Sequence, residues 1–439
     1  MTQRREMDLV MLGYCDLCAI VRGRWLPATA LDDHSQATVG WVPSAVARPP
    51  FGRSVRPNPF GATGDLRLRP DLSTRIRIPD DGKSTAMDLV LCDLIDPGGE
   101  PWECCPREFL RRALRALNDQ LGIHVTASFE HEFQLQLTRP APPAMSLEAH
   151  RAIEPFASRA MQALHNAGLG PEQFIPESGT HQYEIPVAPL EGVASADRAV
   201  MVREVIREMA RREGVRPTFS PMVEPDGQGN GMHIHLSLRS REGEPLLYDP
   251  DRPGFLSDLA SSFAAGILSH ALALTALTAP SPVSHLRLQP GRRAAGTVSL
   301  GDRNRETMLR IPPIVAGAGD AASQLRLEYR AADVAANPYL ALGSIIYAGL
   351  AGVREHALPP VLLSRDPDHL SDTEKREHGV GALPASLQES LAALITDDTL
   401  QDALGPRLYE TYSAIKHAEI DACADQDVPE VCARYAGIY

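Results

Sequence analysis

The chain has 439 residues, enough for two or three packed domains, and its 44% apolar and 23% charged residues are ordinary for a globular protein. A formal net charge of -13 argues against nucleic acid or anionic lipid as partners, since composition implies no basic face. The opening MTQRREMDLVMLG has no signal-peptide core and no apolar run reaches the length of a membrane span, so a cytoplasmic protein is expected.

Residues 7–22 read as one or two short strands followed by an Arg-Gly-Arg turn at 22–24. Cys15 and Cys18 have the spacing of half a zinc site, but no second such pair exists, and seven scattered cysteines make no disulfide framework, so they read as structural thiols. From 32 to 70 prolines and arginines crowd a stretch with little periodicity, which predicts a long loop. Strand-like runs resume at 65–68 and 86–94. Residues 1–105 therefore read as a small β-rich domain and 106–439 as a larger one.

At Pro106 the period becomes helical: Leu110, Leu114, Leu117 and Leu121 share a face and Gly122 supplies the stop. A strand over 125–137 (VTASFEHEFQLQL) follows, with one apolar row interrupted only by His131 and a polar row that places Glu130 and Glu132 roughly 7 Å apart on one face. Helices are predicted over 146–167, 196–213, 256–278 and 338–353. The last 60 residues read as helical hairpins with Leu387, Leu391, Leu394, Leu400 and Leu404 as core. Strands alternating irregularly with helices point to an α+β fold rather than a doubly wound parallel sheet.

Alone, the Glu130 strand would pass for a solvent-facing edge. Three further runs share its build: Gln182 and Glu184 in 181–187, with Glu177 just upstream; His233, His235 and Ser237 in 231–239; Arg326, Glu328 and Arg330 in 324–330. Collected on one side of a sheet, these polar faces make a basin of Glu, His and Arg. Carboxylates with one imidazole suit Mg²⁺ or Mn²⁺ better than zinc, and neighbouring arginines suit phosphate or carboxylate. No Walker or dinucleotide fingerprint is present, so a nucleotide would be held by metals and side chains.

In EHEF (130–133), PESGTHQYEI (176–185), GNGMHIHLSL (229–238), RLQPG (287–291), NRETMLRIP (304–312) and RLEYRAADVAANPYLAL (326–342), with GDLRLRPDLSTRIRIP (64–79) and LPASL (383–387), the chain resembles bacterial glutamine-synthetase-like ligases nearly end to end. The resemblance implies an N-terminal β-grasp domain and a catalytic domain with a curved antiparallel sheet. It implies Glu132, Glu177 and Glu184 as ligands of one metal, and Glu130, His233 and Glu328 as ligands of a second among the ATP phosphates. His235 and Ser237 match nucleotide-contacting positions, Arg305 and Arg310 phosphate-binding ones, and Arg287 and Arg330 those that grip substrate and transferring phosphoryl group. A homo-oligomeric ring of the dodecamer type, with active sites between subunits, is expected.

The amine half of the pattern is altered. Where the family reads Pro-Gly, any residue, Glu, Ala, Pro, this chain reads Pro290-Gly291-Arg292-Arg293-Ala294-Ala295, so Arg293 replaces the acid that helps bind ammonium. The family's N-terminal Asp-Gly-Ser-Ser stretch is missing, Gln228 replaces an Asn, and Leu300 replaces a Trp. An Arg neither attracts ammonium nor accepts its proton. The expected activity is an ATP-dependent ligase that forms a γ-glutamyl phosphate from glutamate, or a close analogue, and passes it to an amine other than ammonia. A weakly basic amine (aniline, hydrazine, hydroxylamine) or one bearing a negative group fits Arg293, whereas a polyamine dication fits poorly. A true glutamine synthetase and a catalytically silent scaffold are the competing expectations.

Overall fold

A computed structural model describes residues 7–32, 38–289, 291–292 and 294–439. The first sheet holds β1 (Leu9–Cys15), β2 (Val21–Pro27), β3 (Val39–Trp41), β4 (Leu66–Pro70), β5 (Ile76–Ile78) and β6 (Met87–Ile95), in the order β2-β1-β6-β4-β3 with β5 also on β6. β6 lies mid-sheet and is buried on both faces, its apolar run Leu89–Cys92 flanked by the buried Asp88 and Asp93. Arg22-Gly23-Arg24 lies inside β2 rather than in a turn. The turn comes earlier, where Asp16 Oδ1 accepts the backbone N–H groups of Cys18 (2.8 Å) and Ile20 (2.9 Å) and so organises the reversal by itself. The segment predicted as a loop holds β3, too short to show a period, and buries Val46, Ala47 and Val55, while β4 answers to the strand-like run read at 65–68.

The second sheet is built from β7 (Ile123–Leu135), β8 (Ile175–Pro176), β9 (Gln182–Pro186), β10 (Leu190–Glu191), β11 (Pro217–Thr218), β12 (Met232–Ser240), β13 (Thr297–Asp302), β14 (Thr307–Ile311), β15 (Leu327–Tyr329), β16 (Leu362–Leu363) and β17 (Gly381–Ala382). Its order is β16-β13-β14-β15-β12-β7-β9-β8. From β14 to β8 the pairs are antiparallel, while β13 runs parallel to β14 and to β16. β7 buries every second residue, with Phe133 packed among Phe156, Tyr183 and Phe219.

Helices cover the buried face. Pro106–Leu121 stops at left-handed Gly122 (φ 68°), as its sequence predicts, and packs with Asp258–Ser269 against Pro338–Arg354. The predicted 146–167 helix is two, Leu147–Ala152 and Phe156–Asn166, divided at Pro155, whose ring cannot continue the hydrogen-bond ladder. The predicted 256–278 helix also breaks, at His270, into two segments bent by 75°. This apolar pair is largely buried, and no single helix among the described residues is long and apolar enough to cross a membrane. Four helices, Leu387–Ile395, Asp398–Leu404, Pro406–Cys423 and Val428–Ala436, form the C-terminal part. All seven cysteines are buried and unpaired.

Candidate active site

Strand register assembles the basin. Glu132 on β7 faces Glu184 on β9; on the other side of β7, Glu130 faces His233, Ser128 faces His235 and Thr126 faces Ser237 on β12. His235 in turn pairs with Glu328 on β15, which pairs with Arg310 on β14. Directly opposed residues have Cβ atoms about 5 Å apart, so five adjacent strands raise these side chains into one patch. Donor atoms of Glu130, His233 and Glu328 lie within 4.8 Å of one another, the spread of a single cation's ligands.

Glu130 is the hub of that patch. Its Oε2 lies 3.4 Å from His233 Nδ1 and its Oε1 lies 2.9 Å from His235 Nε2, the latter off the line a hydrogen bond needs. Burial raises the Glu130 pKa, but the two imidazoles outweigh it and hold the carboxyl well below the usual range. Arg326 Nε donates to His235 Nδ1 at 3.1 Å, which fixes the imidazole's orientation. Both oxygens of Glu328 meet arginines, Oε2 with Arg310 Nη1 at 2.5 Å and Oε1 with Arg330. Burial opposes its charge, yet chiefly Arg330 brings its pKa down to about 2.

The other acids behave oppositely. Glu132 Oε2 accepts the Gly231 N–H at 2.7 Å, and Gln182 reaches it at 3.4 Å. Glu184 is pushed up to about 9 by burial and then by Glu130, Glu132 and Glu177, and Glu177 is raised by burial and Glu132. Carboxylates crowded until one holds its proton are a donor set for a hard divalent cation, and together with a single imidazole on the Glu130 side they fit Mg²⁺ or Mn²⁺.

Arginines rim the acids. Arg287 ends the short helix Ser284–Arg287, is buried, and donates through Nη2 to the Arg330 carbonyl at 3.2 Å. Glycines leave room for it: a Cβ on Gly231 would sit 2.5 Å from Arg287 Nη2, and one on Gly229 would sit 2.7 Å from its Cγ. Arg305 is exposed on the turn between β13 and β14, near enough to Glu177 to favour its charge. A cleft of about 280 Å³ is lined by Thr126, Ser128, Glu130, His235, Ser237 and Arg326, which puts the predicted nucleotide contacts beside the hub.

On the opposite rim, Arg292 Nη1 donates to the Gly227 carbonyl at 3.3 Å and the Gln228 side chain donates to the Arg292 carbonyl at 3.5 Å, joining the loop after Arg287 to the loop before β12. Arg293 lies outside the described residues. Leu300 is buried on β13 opposite Leu309, a core position. Gln182, bonded to Glu132, the Gly229 carbonyl and Asn230, and Arg326 were not among the candidate residues, although both stand in the polar rows of their strands.

Two family models match the chain: Glutamine synthetase N-terminal domain over residues 1–102 and Glutamine synthetase, catalytic domain, over 103–435. Among curated proteins, a gamma-glutamylpolyamine synthetase, GlnA3, of Streptomyces coelicolor is 36% identical over 98% of this chain and 93% of its own. A glutamine synthetase of Methanocaldococcus jannaschii is 34% identical over 81% of this chain and 80% of its own. A solved structure described as a novel glutamine synthase homolog superposes with a TM-score of 0.92 at 39% identity over the whole of both chains. Ligand-free GmaS superposes at 0.82 with 27% identity over 97% of this chain and 96% of that one.

Proposed function

The chain belongs to the glutamine synthetase family of ATP- and divalent-cation-dependent carbon–nitrogen ligases, and from that premise we propose that it joins the γ-carboxyl of glutamate, or a close analogue, to an amine other than ammonia. A carboxylate oxygen is too poor a leaving group for direct attack. The γ-phosphoryl of ATP passes to a γ-carboxylate oxygen, releasing ADP and leaving an acyl phosphate. The amine nitrogen then attacks the carbonyl carbon, the carbon–oxygen bond to phosphate breaks with its electron pair, and a proton leaves to water or a basin carboxylate.

Glu130, His233 and Glu328 would hold one cation and Glu132, Glu177 and Glu184 a second. Bound there, the cations would neutralise charge on the phosphates and align them with the acid. Arg287 binds the anionic end of the substrate. Arg305, Arg310 and Arg330 meet the charge that develops on the moving phosphoryl group, Arg310 and Arg330 turning to it from Glu328. His235 and Ser237 contact the nucleotide in the cleft.

One observation carries the choice of acceptor: in the sequence Arg293 stands where the family pattern has an acid for ammonium, and an Arg at that position suits an acceptor that is already unprotonated or that bears a negative group. A second reading, a polyamine acceptor, is favoured by the relative named gamma-glutamylpolyamine synthetase. ADP release from ATP, Mg²⁺ and glutamate, measured with ammonia, hydroxylamine, aniline, an amino acid acceptor and putrescine, separates these readings. The first predicts turnover with the weakly basic or anionic amines above that with ammonia, and putrescine leading would favour the second. Ammonia leading would overturn both, and no amine-dependent release would mark a silent scaffold. In the same assay Arg293→Glu gains ammonia use if this loop alone blocks it.

A further inference from the structure

We infer that Asp333 is the positioning residue for Arg287, a buried counter-charge that holds the guanidinium at the basin with one amino group free for the substrate's anion. This rests on the role proposed for Arg287. Arg287 is only 3% exposed, Nη2 is spent on the Arg330 carbonyl, and buried Nη1 has no hydrogen-bond partner among the described residues. A buried cation with an unpaired amino group is costly, and burial does depress the Arg287 pKa. Glu132 and Asp333 are the anions that most offset this. Glu132, however, accepts from Gly231 and stands among the crowded acids, so a cation bound there would claim its charge.

Asp333 stands apart from those acids. It is fully buried, its backbone bridges to Gly231, and Oδ1 accepts the Ala335 N–H at 3.0 Å while Oδ2 has no partner among the described residues. Gly231 is also the residue against which Arg287 Nη2 lies, so the backbone of Asp333 and the Arg287 guanidinium meet the same glycine. Burial raises the Asp333 pKa to about 6 and Arg287 opposes the rise. Two buried, opposite, incompletely bonded groups near one glycine act on each other through space without a direct hydrogen bond, which leaves Nη1 for the substrate.

Steady-state kinetics of Asp333→Asn, Arg287→Lys and the double variant, with whichever amine proves to be the acceptor, test this. Asn keeps the size and the bond to Ala335 N–H and removes the charge. The expected result is a KM for glutamate raised about tenfold or more with kcat changed less than about threefold, unchanged ADP binding, and little added effect of Asp333→Asn on top of Arg287→Lys. If Arg287→Lys raises KM and Asp333→Asn does not, or if the two effects add in full, the inference is overturned. If Arg287→Lys itself leaves KM alone, the role proposed for Arg287 has failed instead, and the inference falls with it. Should the Asn variant not fold, a structure of the wild-type protein with ADP, Mg²⁺ and glutamate decides: Arg287 Nη1 on the substrate with Asp333 beside the guanidinium supports the pairing, and Arg287 turned away from Asp333 contradicts it.

Discussion

Glu184 lies across from Glu132 on adjacent strands, and its raised pKa has a direct consequence for cation binding. Below about pH 9 the cation-free carboxyl holds a proton that a divalent cation must displace, so affinity climbs with pH until that proton is gone. Mn²⁺ titrations are therefore expected to show a Kd lower by about one to two orders of magnitude at pH 8.5 than at pH 6.5, with the difference flattened in Glu184→Gln; equal affinities in the wild type would remove Glu184 from the ligand set. His131 presents a separate case. It is the one polar interruption in the buried row of β7, neither ring nitrogen has a hydrogen-bond partner among the described residues, and burial followed by Arg203 lowers its pKa from 6.5 to about 3. The unfolded chain thus binds a proton that the folded chain refuses, so stability is full above about pH 6.5 and falls as pH drops toward 3, by an amount on the order of several kcal/mol. His131→Leu should narrow the difference between urea midpoints at pH 7.5 and pH 5, and an unchanged difference would count against this reading.

At the scale of elements, the strands that line the basin are legible because each pairs a buried apolar row with a chemically consistent polar row, and such alternation survives in a single sequence. β14 went unseen because Thr307–Ile311 is buried throughout and does not alternate, and β13 because its alternation lasts only over 297–300 before Gly301. Helix divisions at Pro155 and His270 were missed because the apolar period continues across both breaks. The basin's acids are readable from spacing, and Gln182 and Arg326 stand in the same polar rows, but their pairing with Glu132 and His235 becomes visible only when strands are placed side by side. Asn337 shows how an element is anchored. Its Oδ1 accepts from Tyr339 and Leu340 N–H at the start of Pro338–Arg354, while its Nδ2 donates to the Asp16 carbonyl at 2.7 Å, tying the central helix to the first sheet. Asn337→Ala should cost about 2 kcal/mol, from a lost cap plus a stranded buried carbonyl, read as a lower urea midpoint. A loss under about 0.5 kcal/mol would show that the tie is not needed.

Across the whole molecule, the two sheets are joined by charge as well as by apolar contact. Arg107, at the start of the first long helix, bonds Asp93 (2.7 Å) and Asp71 (2.9 Å) beside the first sheet and Asp197 (2.8 Å) on the helix Val193–Arg212. One edge of the first sheet is β2, whose Trp25 is 54% exposed, and an open edge with an exposed indole is the kind of surface a neighbouring subunit covers. The ring that the resemblance implies predicts a solution mass many times the 47.6 kDa of one chain, measured by light scattering, and a lone monomer that turns over substrate would contradict active sites shared between subunits. Beneath all of this lies the claim that the basin phosphorylates a carboxylate before an amine attacks it. Glutamate carrying oxygen-18 in its γ-carboxyl, incubated with ATP, Mg²⁺ and the preferred amine, tests that claim most directly: the account predicts one labelled oxygen in the inorganic phosphate for each amide formed, and amide formation with unlabelled phosphate would contradict it.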